Sequence, residues 1–187
     1  MEEHQLIRSA QEGNEEAFAE LVRIYMNRMT NLAYSFTRNR ETAEDLAQET
    51  FIKAYNALPR FESKSSFGTW LYRIAVNTAK DHLRKAEHIR EESLSQHDYR
   101  YPENESTRPD RKADQQELSR MIHQAMETLP PKHRIILTLR DLQGLPYAEL
   151  ARILKISEGT VDSRLFRARR SLREKIRPYL FPDRRKT

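Results

Sequence analysis

The chain has 187 residues, enough for one or two domains, and a net charge of +5 from 33 Lys and Arg against 28 Asp and Glu. It contains no cysteine, which excludes disulfides, thiolate metal sites and cysteine nucleophiles. No apolar run approaches the roughly 20 residues that span a bilayer. The acidic N-terminus, MEEHQLIRSAQEG, lacks the basic start and apolar centre of a signal peptide. We therefore expect a cytoplasmic protein.

Apolar residues recur at helical spacing along most of the chain, and only four glycines interrupt it. This pattern predicts an all-α fold of two small helical domains joined by a flexible linker. Basic residues are concentrated in two blocks: residues 60–85 carry 6 Lys and Arg against 2 Asp and Glu, and residues 132–187 carry 15 against 6. The blocks 1–58 and 86–131 each carry 6 against 10. Two separated basic blocks indicate two contact zones on a polyanion.

The first periodic stretch, from Glu15 to Arg38, predicts a helix pair or one long bent helix. A further helix is predicted from Glu41 to about Leu58. Its inner side consists of Ala43, Leu46, Ala47, Phe51, Ala54 and Tyr55. Its outer side is compact, polar and acidic, and consists of Glu44, Asp45, Gln48, Glu49 and Ile52. Such a face does not suit DNA phosphates; it faces water or a basic protein partner, and composition alone favours water.

The pattern breaks between Leu58 and Phe67, in a segment with two aromatic residues that ends in a serine pair able to cap the next helix. That helix is predicted from Phe67 to Lys85. Beside its apolar stripe it has a basic, amide-bearing side made of Arg73, Asn77, Lys80, Asp81 and Arg84. Cations and nearby aromatic rings suit single-stranded nucleic acid. An ordinary surface helix, in which the aliphatic parts of Lys and Arg lie over the apolar core of the same domain, would show the same pattern.

Residues 87–114 have no apolar period and contain two prolines, and they predict the flexible linker. The predicted organisation is therefore a first domain at 1–86, the linker, a second domain at 115–180 and a basic tail at 181–187. In the second domain one helix ends at Pro130. The next helix is expected to place Ile135, Ile136, Leu139 and Leu142 inward.

The stretch from Gly144 to Arg177 predicts a helix-turn-helix. Pro146 suits the first turn of a helix, and Ser157 is a good N-cap for a second helix. The apolar side of the second helix consists of Val161, Leu165, Ala168, Leu172 and Ile176, and its polar side of Thr160, Ser163, Arg164, Arg167 and Ser171, flanked by Arg169, Arg170 and Arg173. Arginine suits guanine edges and phosphates. An ordinary solvated helix pair is the less favoured alternative, because turn, cap, apolar pattern and arginine face all agree.

Four segments in this order carry a family resemblance: AEDLAQETFIKAYNAL (Ala43 to Leu58), FGTWLYRIAVNTAKDHLRK (Phe67 to Lys85), METLPPKHRIILTLRDLQGL (Met126 to Leu145) and ISEGTVDSRLFRARRSL (Ile156 to Leu172). Together they resemble the extracytoplasmic-function sigma factors, a class of bacterial RNA polymerase specificity subunits. The resemblance covers nearly the whole chain.

The resemblance implies three functional surfaces. For docking on the clamp of the polymerase it implies Asp45, Gln48, Glu49 and Ile52. For the melted minus-ten element it implies Phe61, Lys64, Ser65, Ser66, Arg73, Asn77, Lys80 and Arg84, with the loop from Phe61 to Ser66 shaping a pocket for a flipped base. For the duplex minus-thirty-five element it implies Thr160, Ser163, Arg164 and Arg167, with Arg169 and Arg170 as phosphate contacts. Asp162 departs from the family, in which a basic residue is common at that position.

The implied partners are the RNA polymerase core, through its clamp and flap, promoter DNA and an anti-sigma factor that is often membrane-anchored. We expect an otherwise monomeric protein with no catalytic residue, metal or cofactor. A stand-alone helix-turn-helix regulator is the main alternative, although no coiled-coil seam or ligand motif supports it. An enzyme is less favoured, because the six histidines have no metal-ligand spacing and no phosphate-cradling glycine loop is present.

Overall fold

The computed structural model describes residues 2–93 and 121–180, and in these ranges every regular element is helical. The first part contains α1 (Glu3–Gln11), α2 (Glu15–Thr37), α3 (Arg40–Ala57), a 3-10 turn (Leu58–Arg60) and α4 (Phe67–Ser93). The second contains α5 (121–127), α6 (Pro131–Leu137), a π-helical turn (Thr138–Leu142), α7 (Tyr147–Leu154) and α8 (Glu158–Leu180). The all-α prediction is confirmed for this part of the chain. Positions 94–114 of the predicted linker, residues 115–120 and the predicted tail 181–187 lie outside the described residues.

The N-terminal domain is built from the long helices α2, α3 and α4, which pack against one another through their apolar stripes. Asn14 and Asn39 begin α2 and α3 by accepting hydrogen bonds from Ala17 N at 3.0 Å and Thr42 N at 2.8 Å. Of the two possibilities left open for the first periodic stretch, the structure shows one unbroken helix of 23 residues. The stretch therefore forms the single long helix that was one of the two alternatives, and not a helix pair.

Helix α1 is an element that the sequence analysis did not predict. It has nine residues and buries only Leu6 and Ala10, so its apolar pattern is too short to stand out. It packs on α2, and its last residue, Gln11, donates from Nε2 to the carbonyl oxygens of Leu58 (3.1 Å) and Phe61 (2.9 Å). These bonds attach α1 to the segment that follows α3.

An aromatic cluster fills the space between α2, α4 and that segment. The ring of Phe67 lies 5.5 Å from those of Tyr25 and Trp70, and Phe61 lies 4.9 Å from Trp70. Gly68 permits this packing, because a Cβ at that position would come within 3.2 Å of the Tyr25 ring. The cluster fixes the start of α4 against α2.

The C-terminal domain contains the predicted helix-turn-helix as α7 and α8. Lys155 ends α7 in the left-handed conformation, with φ of 55°. Ser157 then accepts a hydrogen bond from Thr160 N at 3.2 Å, which makes it the predicted N-cap of α8. Val161 and Leu165 bury the apolar side of α8 in the domain core. The polar side is left facing outward.

The two domains pack together through α2 and α4 of the first and α5 to α7 of the second. At the centre of this contact lies Arg134, which is 3% exposed. Its guanidinium donates to the carbonyl oxygens of Ser35, Glu127 and Leu129. Burial, and secondarily the nearby Arg38, lower the pKa of Arg134 to about 10. The interface thus holds a cation bonded mainly by neutral backbone oxygens.

Three details of the helices differ from the sequence-based expectations. Tyr55, predicted inward, is 41% exposed, because its ring packs edge-on against Phe18 at the border of the core. Leu142, also predicted inward, is 54% exposed, because the π-helical turn that begins at Thr138 changes the helical phase by one residue. Helix α4 continues to Ser93, seven residues into the segment predicted as linker.

Candidate nucleic-acid interface

The acidic face of α3 is exposed as one continuous strip. Asp45, Gln48, Glu49 and Ile52 lie on successive turns of the same side, and Ile52 is 63% exposed. Glu49 forms an ion pair with Lys53 at 2.7 Å. Among the described residues Asp45 and Gln48 have no hydrogen-bond or ion-pair partner. A solvated apolar side chain surrounded by acceptors suits a protein partner better than a nucleic acid.

The basic side of α4 is exposed as predicted. Arg73, Asn77, Lys80 and Arg84 follow one another at spacings of three and four residues, and all four face solvent. The opposite side of the helix is buried in the domain core through residues such as Leu71 and Ala75. Arg84 is paired with Asp81 at 3.1 Å. This surface therefore offers a row of cations and an amide along about three helical turns.

A shallow cavity of about 550 Å³, widely open to solvent, lies beside the start of α4. Its walls come from α1 and from the loop before α4, and its lining consists of Glu2, Glu3, His4, Ile7, Phe61, Ser63, Ser65, Ser66 and Phe67. Within the loop, Ser63 adopts the left-handed conformation with φ of 54°, which is uncommon for a residue other than glycine. A cavity of this size, bordered by aromatic rings and hydroxyl groups, has room for a nucleobase.

The structure separates the predicted loop residues into different positions. Ser65 and Ser66 line the cavity, whereas Phe61 is 8% exposed and forms part of its floor through the aromatic cluster. Lys64 is exposed and forms an ion pair with Glu62. Sequence reasoning missed the contribution of α1, including Glu3, whose Oε1 accepts a hydrogen bond from the Tyr25 hydroxyl at 3.0 Å. No local pattern in the sequence indicates this contact, because it arises from tertiary packing.

The polar side of α8 is accessible along its N-terminal half. Ser163 and Arg167 are exposed, while Thr160 and Arg164 are half-buried beside them. The Arg167 guanidinium folds back along the helix and donates from Nε to the Ser163 carbonyl oxygen at 3.1 Å. It must extend to reach a ligand in front of the helix. The four residues nonetheless share one side of α8.

The flanking arginines of α8 have internal partners. Arg169 forms a bidentate pair with Asp141, at 2.6 and 3.2 Å, and Arg170 pairs with Glu174 at 3.1 Å. One turn earlier on α8 lies Phe166, which lines a pocket together with both arginines, is 69% exposed and was not singled out by the sequence analysis. Its position outside the apolar stripe of α8 is the signal that could have identified it.

No helix in residues 2–93 or 121–180 is both long and apolar enough to cross a bilayer. In the same ranges no group of three or more His, Cys, Asp or Glu residues is arranged to hold a metal ion.

A helix-turn-helix with an exposed arginine face defines the C-terminal domain as a DNA-binding unit. Comparison with known proteins supports this assignment and also identifies the N-terminal domain. Residues 21–89 match the family model of sigma-70 region 2, and residues 119–172 match that of sigma-70 region 4. The chain is 37% identical over 185 residues to the RNA polymerase sigma-H factor of Pseudomonas aeruginosa, with 96% of each chain covered. It is 36% identical to the ECF RNA polymerase sigma-E factor of Haemophilus influenzae, covering 94% of this chain and 95% of that one.

A solved structure extends the likeness to three dimensions. It is the sigma factor RpoE in complex with the anti-sigma factor NepR from Bartonella quintana. Its TM-score to this chain is 0.71 at 27% identity, with 89% of this chain and 98% of that one covered. The chain belongs to the extracytoplasmic-function sigma factors. It directs RNA polymerase to promoters and is a non-catalytic subunit of that enzyme.

Proposed function

We propose that the two domains recognise two promoter elements in different physical states: α8 binds the minus-thirty-five element as duplex, and α4 with the adjacent cavity binds the minus-ten element as a melted strand. The observation that carries this proposal is the contrast between the two exposed basic faces. One lies on the second helix of a helix-turn-helix, and the other borders a cavity with room for a base.

Duplex recognition rests on the N-terminal half of α8. In a helix-turn-helix this part of the second helix enters the major groove, where Thr160, Ser163, Arg164 and Arg167 would meet base edges. An extended Arg167 suits guanine, whose O6 and N7 accept a bidentate pair. The exposed ring of Phe166 suits the methyl group of thymine. Arg169 and Arg170 would contact phosphates after leaving their acidic partners.

Strand recognition rests on α4 and the cavity. Arg73, Lys80 and Arg84 would follow the backbone, Asn77 would bond to a base edge, and the cavity would receive one flipped base. Unstacking that base costs a few kcal/mol, which aromatic stacking of roughly 1 to 3 kcal/mol per base offsets. Attachment of both domains to one chain raises the effective concentration of the second contact after the first forms.

The acidic strip of α3 is the proposed contact with the clamp of the polymerase, and the C-terminal domain would meet the flap. We further propose control by an anti-sigma factor, since the RpoE structure is a complex with one. The protein would work in the cytoplasm, where bacterial RNA polymerase transcribes. No metal or other cofactor is part of the proposal.

The decisive experiment is run-off transcription on a promoter library with purified core polymerase, with and without this protein, alongside a gel shift of the protein alone. Selective initiation that requires both components, with bases enriched at both elements, supports the proposal. Tight duplex binding without initiation would favour a stand-alone regulator instead.

The polymerase contact has its own test in Asp45→Arg, which reverses a charge on the exposed strip of α3. We expect co-purification with core polymerase to be lost or strongly reduced. Glu16→Arg is the matched control, because Glu16 is an exposed acid of the same domain that lies on α2 and outside the strip. Equal binding by the two variants would contradict docking through α3.

A further inference from the structure

The cations around α8 fall into a paired and an unpaired group. Arg169 and Arg170 form ion pairs with acids, as described above. A second group, at the junction of α6 and α8, has no acidic partner among the described residues and consists of Lys132, Arg164 and Arg167. Of these, Arg167 bonds within α8, to the backbone and side chain of Ser163. The junction therefore carries three positive charges that the described part of the protein does not neutralise.

The local sequence accounts for the missing partners. The neighbours of Arg164 on α8 at spacings of three and four residues include no acid; they are Thr160, Val161, Arg167 and Ala168. The first turn of α6, which carries Lys132, contains no acidic residue either. Like charges that lie together without a counter-charge raise the local positive potential. The junction is therefore a place where an external anion is favoured.

His133 lies at the same junction and indicates the kind of ligand. Its Nδ1 is buried and has no hydrogen-bond partner among the described residues. Burial, and then the charges of Lys132, Arg167 and Arg164, lower its pKa, so all three cations lie near the ring. Buried polar atoms usually have a partner. A ring nitrogen without one, in a group of cations, suits an anion that accepts hydrogen bonds.

The place of the junction matches the geometry of a helix in the major groove. The groove is about 12 Å wide and an α-helix with its side chains is about 10 to 12 Å across, so the two phosphate backbones pass along opposite flanks of the helix. Arg164 lies about a quarter of a turn to one side of Ser163, whereas Arg169 lies about a third of a turn to the other. Helix α6, which packs on α8, borders the flank of Arg164. Lys132 and His133 are thus next to one strand, and Arg169 is next to the other.

We propose that Lys132 and His133 bind one backbone phosphate of the minus-thirty-five duplex, in the positive field of Arg164. The inference rests on the proposed duplex recognition by α8. It adds two ligand residues from α6, outside the helix-turn-helix, and gives the domain phosphate contacts on both sides of the groove. Lys132 supplies a charge, and the imidazole supplies a hydrogen bond that strengthens when the ring is protonated.

This phosphate contact has two consequences. It carries no sequence information, but it fixes the register and orientation of α8 on the duplex. It also couples binding to a proton. The charged groups around the His133 ring are Lys132 on α6 and Arg164 and Arg167 on α8, and a bound phosphate opposes all three. Binding should therefore raise the pKa of His133, and the affinity for duplex should increase as the pH falls from 7.5 to 5.5.

The first test uses the full chain and duplexes that carry the minus-thirty-five element obtained in the transcription experiment, with affinity measured by fluorescence anisotropy. Lys132→Gln removes one charge from an exposed side chain. It should weaken binding of consensus and substituted duplexes by the same factor, and reduce the slope of log affinity against log salt by about 0.9, the value for one phosphate. Lys175→Gln is the matched control and should leave the slope unchanged, because Lys175 is an exposed lysine of α8 about 16 Å beyond Arg164 along the helix.

A second measurement locates the phosphate. A series of duplexes, each with one neutral methylphosphonate, is bound to the wild type and to both lysine variants. At the contacted position the wild type should lose affinity several-fold, whereas Lys132→Gln should lose no more, because the same interaction is already absent. Losses that add at every position for Lys132→Gln, as for Lys175→Gln, would refute the contact.

A third measurement tests the imidazole. At fixed salt, the affinity of the wild type for duplex should increase between pH 7.5 and 5.5 by a larger factor than that of His133→Gln. A melting temperature at pH 7.5 close to that of the wild type establishes that the variant is folded. Equal pH dependence of the two proteins would refute the role of His133.

The outcomes also separate this inference from the proposed function. If the wild type initiates transcription with core polymerase but Lys132→Gln keeps the full salt slope, the phosphate site is refuted and the proposed function stands. If Lys132→Gln changes the ratio of affinities for consensus and substituted duplexes, Lys132 contacts a base and the phosphate site is again refuted. A wild-type protein that fails to initiate overturns both.

Discussion

The two proposed DNA-binding surfaces differ in how they are assembled. The duplex surface lies on one helix, α8, where Ser163 and Arg167 are exposed and Thr160 and Arg164 are half-buried. The strand surface combines α1, the loop before α4 and α4 itself, and its edge at Thr69 is bonded to the other domain. A rigid duplex can be met by a single preformed helix, whereas an unstacked strand needs a cavity, which only tertiary packing provides. The variants below should affect the two surfaces unequally.

The largest effect is expected from Arg134→Met, which removes the buried cation of the domain interface. Methionine has a similar length but leaves the carbonyl oxygens of Ser35, Glu127 and Leu129 without this donor. We expect the free energy of unfolding to fall by about 3 kcal/mol, in line with the loss of charge-assisted bonds from buried acceptors. Urea denaturation of the full chain measures it. Unchanged stability would contradict the interface as described.

The next effect is specific to the duplex surface. Arg167→Ala should reduce discrimination at one position of the minus-thirty-five element by about 2 kcal/mol, the cost of a lost bidentate base contact. The measurement compares the affinities for consensus and single-substituted duplexes. Arg173→Ala, farther along the same helix, is the control and should weaken all duplexes alike. Binding of the minus-ten strand should be unaffected by either variant, and a change there would break the distinction between the surfaces.

Smaller effects on duplex binding are expected from changes at the two flanking arginines, Arg169 and Arg170, and these effects should differ. Arg170→Ala should lower the salt dependence of duplex binding by about one unit of slope, because one phosphate contact is lost. Arg169 has to leave its bidentate pair with Asp141 before it can contact phosphate. Asp141→Ala should therefore tighten duplex binding by a few-fold at low salt, as expected for one surface pair. If Asp141→Ala and the wild type bind the duplex with equal affinity, Arg169 makes no phosphate contact.

The smallest expected effect is a dependence of stability on pH. Burial lowers the pKa of His133, and the charges of Lys132, Arg167 and Arg164 lower it further; its Nδ1 is buried without a hydrogen-bond partner among the described residues. Since the unfolded histidine, with a pKa of about 6.5, binds a proton more readily than the folded one, the free energy of unfolding should decrease as the pH falls below about 6.5. His133→Gln should lose this part of the decrease, and urea denaturation of both proteins at pH 7.5 and 5.5 measures the difference. Equal decreases in both proteins would contradict the lowered pKa.

Much of the molecule follows from local patterns in the sequence. The exposed strip of α3, the basic side of α4 and the polar side of α8 are all visible in helical spacing, because one residue in three or four returns to the same side. The cap at Ser157 is likewise local. Their residue assignments to polymerase and DNA remain predictions, since shape and exposure alone do not identify a ligand.

Other features depend on contacts between distant residues and could not be predicted. Helix α1 is too short to show a period, yet it forms one wall of the cavity through Glu3. The bond between Thr69 and Glu149 joins residues 80 positions apart. Leu142 was assigned to the wrong side because a π-helical turn is not encoded by spacing. In the first two cases the missing information was tertiary, and in the third it was a local change of helical phase.

Gly68 has a mechanical consequence for the strand surface. Alanine there would favour helix formation slightly, but its methyl group would press on the Tyr25 ring, whose hydroxyl lies against Glu3 at the cavity wall. A displacement of a few tenths of an ångström at the start of α4 would therefore be transmitted through one aromatic ring to α1. The width of the cavity is thus set by the distance between two helices rather than by the loop alone.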